Sequence, residues 1–446
     1  MDPGVVPEPT LLRAVVVVYL GLVAAFGVGA SIVAFRDHFD VLFVDDWRVL
    51  DHYQSQGLLA YLFTAENGHL MPVTLALFAM DYEWFGGRMR LLVLASTACM
   101  ALTAGLLWRI FRRHDGLGSA LSRSLFGFAC FSLFWAASCN ELLKGLYQMN
   151  LQTVALVALA LGALGRVDPA RIRESWGSLS LAMLASLLAT LSQGAGAAIW
   201  AALVTVAAVR RFPWRIVGGF AATGAAVLGL VAATLPPDPR VSFRDSLTFV
   251  ARRPFALASF TLAFVGSTPA RILIGLGIGE PVPKTPKRSA WVAHTRDLFR
   301  ISVAFGALGL FHFLLVALRC LGRPIPRSAL DAVSVGLMAF ALGAALLVAF
   351  VRASIVGPGA LVQPRFLCWA TLFWIGAFCA LVPRTPERIP GSLASLAAVA
   401  FPLVSVCMIP ALRDLREFHE TTMSQASRLT LSLLLGLRNE DLASGV

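Results

Sequence analysis

Apolar runs separated by short polar links occupy most of the chain. They fall near 11–35, 90–111, 124–139, 151–165, 178–192, 194–209, 216–235, 298–318, 329–351, 365–382 and 391–409, each bounded by charge or by Pro/Gly clusters. About 20 apolar residues carry a helix across a bilayer, so the pattern predicts an all-α fold, a polytopic transmembrane helical bundle of about eleven spans. The links after the second, fourth, sixth, eighth and tenth runs contain RRHDGLGSALSR, GRVDPARIRESWG, RRFPWR, RCLGRPIPRS and PRTPERIP. Every second short link is Arg-rich, which by the positive-inside rule makes those links cytoplasmic.

The opposite, outer face then receives residues 36–89, 140–150, the SQGAG turn, 236–297, 352–364 and the C-terminal tail. Two segments strain this count. HLMPVTLALFAMDYEWF at 69–85 is apolar enough to insert but carries Asp81 and Glu83, and is read as a helix lying in the outer interface. Residues 255–279 are read as an outer segment; were they a further span, the KTPKR that follows would be cytoplasmic and every later assignment would reverse. In the tail, Met423, Ala426, Leu429, Leu433 and Leu437 recur at helical spacing and predict a surface-lying amphipathic helix. The expected organisation is one transmembrane module over 1–409 and a tail over 410–446.

Composition excludes a soluble enzyme. Of 446 residues, 58% are hydrophobic and 14% charged, against roughly 25% charged in soluble domains, and the mean hydropathy is +0.75. The excess of 37 Lys and Arg over 25 Asp and Glu is of the kind that cytoplasmic loops collect. With no Lys/Arg-rich tail or aromatic-interleaved basic patch, nucleic acid is not an expected partner. The 7 cysteines show no CxxC and no paired loop spacing, so neither a disulfide framework nor a zinc site is expected. The first ten residues carry no basic cluster, and the run after them exceeds a signal-peptide core, which predicts a retained first span.

Chemistry concentrates in the first outer loop, RDHFDVLFVDDWRVLDHYQSQGLLAYLFTAENGHLMPV. It holds Asp37, Asp40, Asp45, Asp46, Asp51, Glu66, His38, His52 and His69 in a chain otherwise poor in such groups. Ionisable clusters beside a membrane point to function. Side chains of neighbours such as Asp45 and Asp46 diverge, so one base and one supporting group is the natural reading. GLGIGE at 275–280 lacks the Lys-Ser/Thr of a phosphate loop and is not read as a nucleotide site. His312, within the eighth run, is read as a bundle residue, and Trp47, Trp84, Trp291 and Tyr53 as interfacial aromatics.

The order FVDDW, NGHLMP, WFGGRMR, WRIFRR resembles the multispan glycosyltransferases of the GT-C superfamily, and NELLKGLYQMN, LSQGAGAAIW and VRASIVGPGALVQPRF resemble a bacterial branch of it. The likeness touches landmarks over most of residues 1–382. Two departures stand out. The triplet Pro364, Arg365 and Phe366 lacks the hydroxyls of the branch's SRY-like triplet, and Leu70 follows His69 where related chains often carry Arg.

The resemblance implies sugar transfer from a polyprenyl-phosphate donor to a glycan, lipid or protein acceptor on the extracytoplasmic face of a bacterial inner membrane. Asp45 is then the candidate base and Asp46 its orienting, sugar-binding or cation-holding neighbour. Arg365 and Arg352, with Lys144 and Arg88 behind them, are candidates for the departing phosphate, since Arg meets phosphate bidentately. His69 would contact acceptor or phosphate, or cap the following helix. Glu66 stands beside it as a candidate substrate contact. Glu141, Gln148, Asn150 and Gln193 would hydrogen-bond a sugar or satisfy one another. No metal site is indicated and no cofactor is required, although a divalent cation is compatible with the acid pair. The alternative is a transporter or flippase of a lipid-linked glycan, for which mid-span charges and interrupted paired helices would be expected; a non-catalytic membrane scaffold would need no clustered outer acids.

Overall fold

A computed structural model describes residues 10–38, 44–66, 69–115, 119–138, 142, 148–234, 243–280, 288–322, 329–352, 364–381 and 394–412; the side chains of some helix-end residues, 44–47 among them, lie outside that set. The described chain is a helical bundle. In order the helices are α1 (Thr10–Asp37), α2 (Val44–Ser55), α3 (Leu58–Leu62), α4 (Pro72–Phe85), α5 (Arg90–Asp115), α6 (Ala120–Ser138), α7 (Gln148–Leu164), α8 (Trp176–Thr190), α9 (Ile199–Val209), α10 (Trp214–Thr234), α11 (Phe243–Arg252), α12 (Pro254–Gly275), α13 (Arg288–Gly322), α14 (Ala329–Arg352), α15 (Leu367–Leu381) and α16 (Ala394–Leu412). A two-residue antiparallel hairpin, β1 (Ala65–Glu66) and β2 (His69–Leu70), precedes α4, with Glu66 opposite His69.

Among the described residues, eight helices are long and apolar enough to cross a membrane: α1, α5, α6, α10, α12, α13, α14 and α16. The chain is thus an all-α, multi-pass membrane protein. Three expected spans are shorter, Gln148–Leu164, Gly194–Val209 and Leu367–Leu381, about 25 Å or less at ~1.5 Å per residue. The fourth short one, α8, has 15 residues. Part of the apolar run goes into irregular backbone, because α9 and α15 are entered through 3-10 turns at Gly194–Ala198 and Pro364–Phe366.

Side-chain contacts fix the sense of the rods. Leu12, Val16, Ala120 and Ala398 cluster at one end, so α1, α6 and α16 all start there. Tyr19 and Leu20 lie against Gly127, and Phe134 against Gly27, which makes α1 and α6 parallel. At the same arginine-rich end Arg210 donates to the carbonyls of Leu164 and Gly165, and Arg211 to that of Leu321. Gly336 meets Leu161 and Val206 whereas Gly343 meets Ala198, so α14 runs opposite to α7 and α9. Gly309 against Phe373 and the His312 ring against the Ala377 carbonyl make α13 parallel to α15. His312 is therefore a bundle residue, as expected.

The segment 255–279 falls in α12, whose length fits a span but whose partners do not. Phe260 packs on Ala349, one turn before the end of α14, and Gly275 lies against Ala411, in the last turn of α16. Both ends of α12 thus meet the end of the bundle opposite the Arg-rich links. Its middle is held there by Thr268 and Thr371, whose hydroxyls pair at 3.1 Å, and by Trp374 Nε1 donating to the Val265 carbonyl at 2.9 Å. It crosses α13 with Gly266 and Gly306 at the contact: a Cβ on either would fall 1.8 or 2.0 Å from the backbone oxygens of Ser302 and Leu262. Gly277 and Gly279, from the GLGIGE stretch, have φ of +87° and +109° and end this helix, with Ile278 N donating to Leu273 O.

At this second end a small polar unit covers α5 and α7. Val49, Leu50, Tyr61, Met71, Leu75, Phe78, Met89 and Leu92 form its core, with Met149 of α7 packed against it. The acids that made 69–85 an awkward span have structural partners. Asp81 accepts from the amides of Met89 and Leu91, at 2.7 and 2.6 Å, and so caps α5 across a turn in which Gly86 is left-handed. Glu83 accepts from the Tyr53 hydroxyl at 2.6 Å. The predicted tail helix at 423–437 lies outside the described residues.

Candidate functional site

The site is assembled from irregular backbone at the rod ends. The β2 strand presents His69 toward the turn after α8: a Cβ on Gly194 would lie 2.5 Å from His69 Nδ1, so only glycine lets the imidazole approach the chain there. Thr74, in the first turn of α4, donates to the Ser192 carbonyl at 3.4 Å and holds the two segments in register. Burial, and then the guanidinium groups of Arg352 and Arg365, push the His69 imidazole down to about 4. At neutral pH it is an uncharged ring beside two fixed positive charges.

Those charges arrive from two other elements. Arg352 is the last residue of α14 and Arg365 sits in the turn that opens α15. The Arg365 guanidinium lies over the Phe366 ring at 5.1 Å, and its Nε is buried without a hydrogen-bond partner among the described residues. Asn150 Nδ2 donates to the Arg365 carbonyl at 3.2 Å and fixes the backbone of that turn to the start of α7.

The three carboxamides expected to contact a sugar are buried. Gln148 and Asn150 are 1% and 2% exposed, and Gln193 is 6% exposed in extended backbone immediately before Gly194. Gln148 Nε2 donates to Gln152 Oε1 at 3.0 Å. The oxygens Gln148 Oε1, Asn150 Oδ1 and Gln193 Oε1 have no partner among the described residues. Buried polar atoms are normally paired, and each orphan costs roughly 1–3 kcal/mol.

Other expected residues fall elsewhere. Glu66 is 1% exposed, and its two oxygens accept from Arg48 Nε at 2.8 Å and pair with His52 Nδ1 at 2.5 Å. It ties the hairpin to α2. Arg88 is exposed in the turn before α5, its carbonyl 2.9 Å from His38 Nε2. Asp45 and Asp46 lie in the first turn of α2, with side chains outside the described set. Helical spacing puts position 45 on the face of Arg48, Val49 and His52. Lys144 and Glu141 lie outside the described residues. Among those described, no group of three His, Cys, Asp or Glu is placed to hold a metal ion.

Sequence reasoning missed the role of Gly194 and the partners of Glu66. Arg48 and His52 stand four apart on one helix, a spacing that offers two donors to one acceptor. Chemically, two guanidiniums, a neutral imidazole and open amide oxygens suit a ligand that carries both an anion and hydroxyls. No family model, curated protein or solved structure matches the chain.

Proposed function

We propose that the chain is a membrane glycosyltransferase of the GT-C type, which moves a sugar from a polyprenyl-phosphate donor to an acceptor on the extracytoplasmic face of a bacterial inner membrane. What supports this reading is that the electrostatic surroundings of His69 include both Arg352, from the end of α14, and Arg365, from the turn that opens α15. The Arg-rich links at the other end agree with a cytoplasmic side, and in this reading eleven rods alternate across the membrane with α12 laid across the outer end.

In this reading Asp45 takes the proton of the acceptor hydroxyl as its oxygen attacks the anomeric carbon, and the carbon–oxygen bond to the phosphate breaks. Arg365 and Arg352 stabilise the charge that develops on the leaving phosphate, where fixed donors act most strongly. The uncharged His69 offers a hydrogen bond there without further charge. Asp46 orients the base or a sugar hydroxyl.

The test uses the full chain in lipid discs, a panel of polyprenyl-phosphate sugars and mixed bacterial glycan acceptors, with free polyprenyl phosphate followed by mass spectrometry. Wild type is expected to release it and Asp45→Ala to lose at least about 100-fold in rate while remaining folded. Full activity in Asp45→Ala removes Asp45 as the base. Transbilayer movement of an intact lipid-linked glycan, with no release by either protein, would favour a flippase.

A further inference from the structure

We infer that α11 and the first turn of α12 form a seat for the headgroup of an anionic membrane phospholipid, with Arg244 and Arg252 at its phosphate and Leu247 and Phe255 at the edge of the acyl region. The inference stands apart from the glycosyl-transfer reading, since it needs only that the chain lies in a bilayer.

Packing fixes the level of this helix. Phe249 of α11, with Ala256, Leu257 and Phe260 of α12, closes over Ala349, one turn before the end of α14. α11 therefore lies beside the end of a span, where acyl chains give way to headgroups, and at the end of the bundle opposite the Arg-rich links. Helical spacing then divides its surface. Ser246 is 1% exposed and Phe249 and Val250 are half-buried, which marks the face turned to the bundle. Arg244, Thr248 and Arg252 recur every fourth residue on the opposite face, and all three are exposed. Leu247 flanks that stripe, and Phe255, the second residue of α12, is 85% exposed. Arg253 adds a third exposed guanidinium, 6.0 Å from the centre of the Phe249 ring. Against these three arginines the sequence from 243 to 255 holds one acid, Asp245.

Neither water nor acyl chains alone suit such a surface. Water would leave the Phe255 and Leu247 side chains wet, and acyl chains would strip the arginines of hydration. The headgroup level meets both demands: arginine stems lie along apolar surface while the guanidinium groups reach phosphate, which they grip bidentately. A basic polar face beside apolar residues is the pattern of helices that lie in this layer. The bias that gathers arginine in the links of the opposite end does not account for arginine here. Charge selects the lipid. A zwitterionic headgroup carries its own cation, which the three arginines repel, whereas phosphatidylglycerol offers a phosphate with no cation beside it.

The test places the full chain in discs of phosphatidylcholine, alone or mixed with phosphatidylglycerol, and follows hydrogen exchange of the amides from 243 to 255 together with lipid binding by native mass spectrometry. Phosphatidylglycerol is expected to bind about tenfold more tightly than phosphatidylcholine and to slow exchange of these amides, an effect that shrinks as salt screens the charges. Arg244→Gln combined with Arg252→Gln is expected to abolish the preference and the slowing. Thr248→Glu, which sets an acid in the same stripe, is expected to do so alone. Thermal unfolding in phosphatidylcholine discs checks that each variant is folded; if neither is, the wild-type comparison of the two lipids decides. Equal exchange in the two kinds of disc overturns the seat, and so does a phosphatidylglycerol preference that survives the double substitution. Slow exchange confined to discs that hold two copies of the chain, whatever the lipid, would give this face to a second copy and overturn the seat as well.

Discussion

The two ends of the bundle use arginine in opposite ways. At the Arg-rich end Arg210 points Nη1 at the carbonyls of Leu164 and Gly165, both at 3.0 Å, and Arg211 reaches the Leu321 carbonyl at 3.2 Å. Arg210 leaves one N–H, its Nε, unmatched, but it closes the last turns of α7 and thereby serves the fold. At the other end the Arg365 guanidinium lies over the face of Phe366, and its Nε is buried without a partner among the described residues. Hydrogen bonds made to the chain's own backbone stabilise it, and it is in these bonds, present for Arg210 and Arg211, that the two ends differ.

Substituting the two arginines in parallel separates these roles most sharply. Arg365→Ala is expected to lower turnover by about 10²–10³ with little change in the unfolding midpoint, as for removal of a fixed donor to developing charge. Arg210→Ala is expected to cost about 1–3 kcal/mol of stability and leave turnover per folded molecule unchanged. Paired rate and unfolding measurements in one detergent would collapse the contrast if both variants lost the same property.

Glu66 tests the boundary within the outer end. Because Arg48 and His52 already engage it, Glu66→Ala is expected to destabilise the chain by about 2 kcal/mol. Limited proteolysis between α2 and α4 should then report early opening of the polar unit. A variant with normal protease resistance and a raised donor KM would return Glu66 to the substrate contacts.

The smallest effect concerns pH. The folded His69 titrates at about 4, below its ordinary 6.5, so the folded state resists a proton that the unfolded state accepts. The resulting stability is complete above about pH 6.5 and is lost as pH falls from there toward 4. After allowance for partial exposure the expected loss is about 1 kcal/mol. Unfolding of His69→Asn across the same range should be flatter than wild type; equal slopes would show that His69 is not held neutral.

Much of the architecture was legible in the apolar runs, because burial in lipid demands long uncharged helices whatever their neighbours are. Orientation was less so. α12 has the hydropathy of a span, and what lays it across the rod ends is the contact of Gly266 with Gly306 and the threonine pair to α15, none of which hydropathy registers. In the candidate site, Arg352, Arg365 and His69 were readable as residues of one side, since link parity fixes the side. That Glu66 is satisfied by Arg48 and His52 was not, because its partners depend on how a two-residue hairpin folds over α2. The same limit hid Gly194, whose lack of a side chain matters only once the imidazole stands beside it.

That hairpin has a consequence for the order of events. Glu66 and His69 are paired across its two strands, one tied to α2 and the other facing the two arginines. The helix that begins at Val44 and the ring that faces the two arginines are therefore linked through the short segment from Glu66 to His69. Under the proposed reading such a short link makes coupling reciprocal in binding free energy: whatever factor acceptor binding at α2 applies to donor affinity, donor binding applies to acceptor affinity.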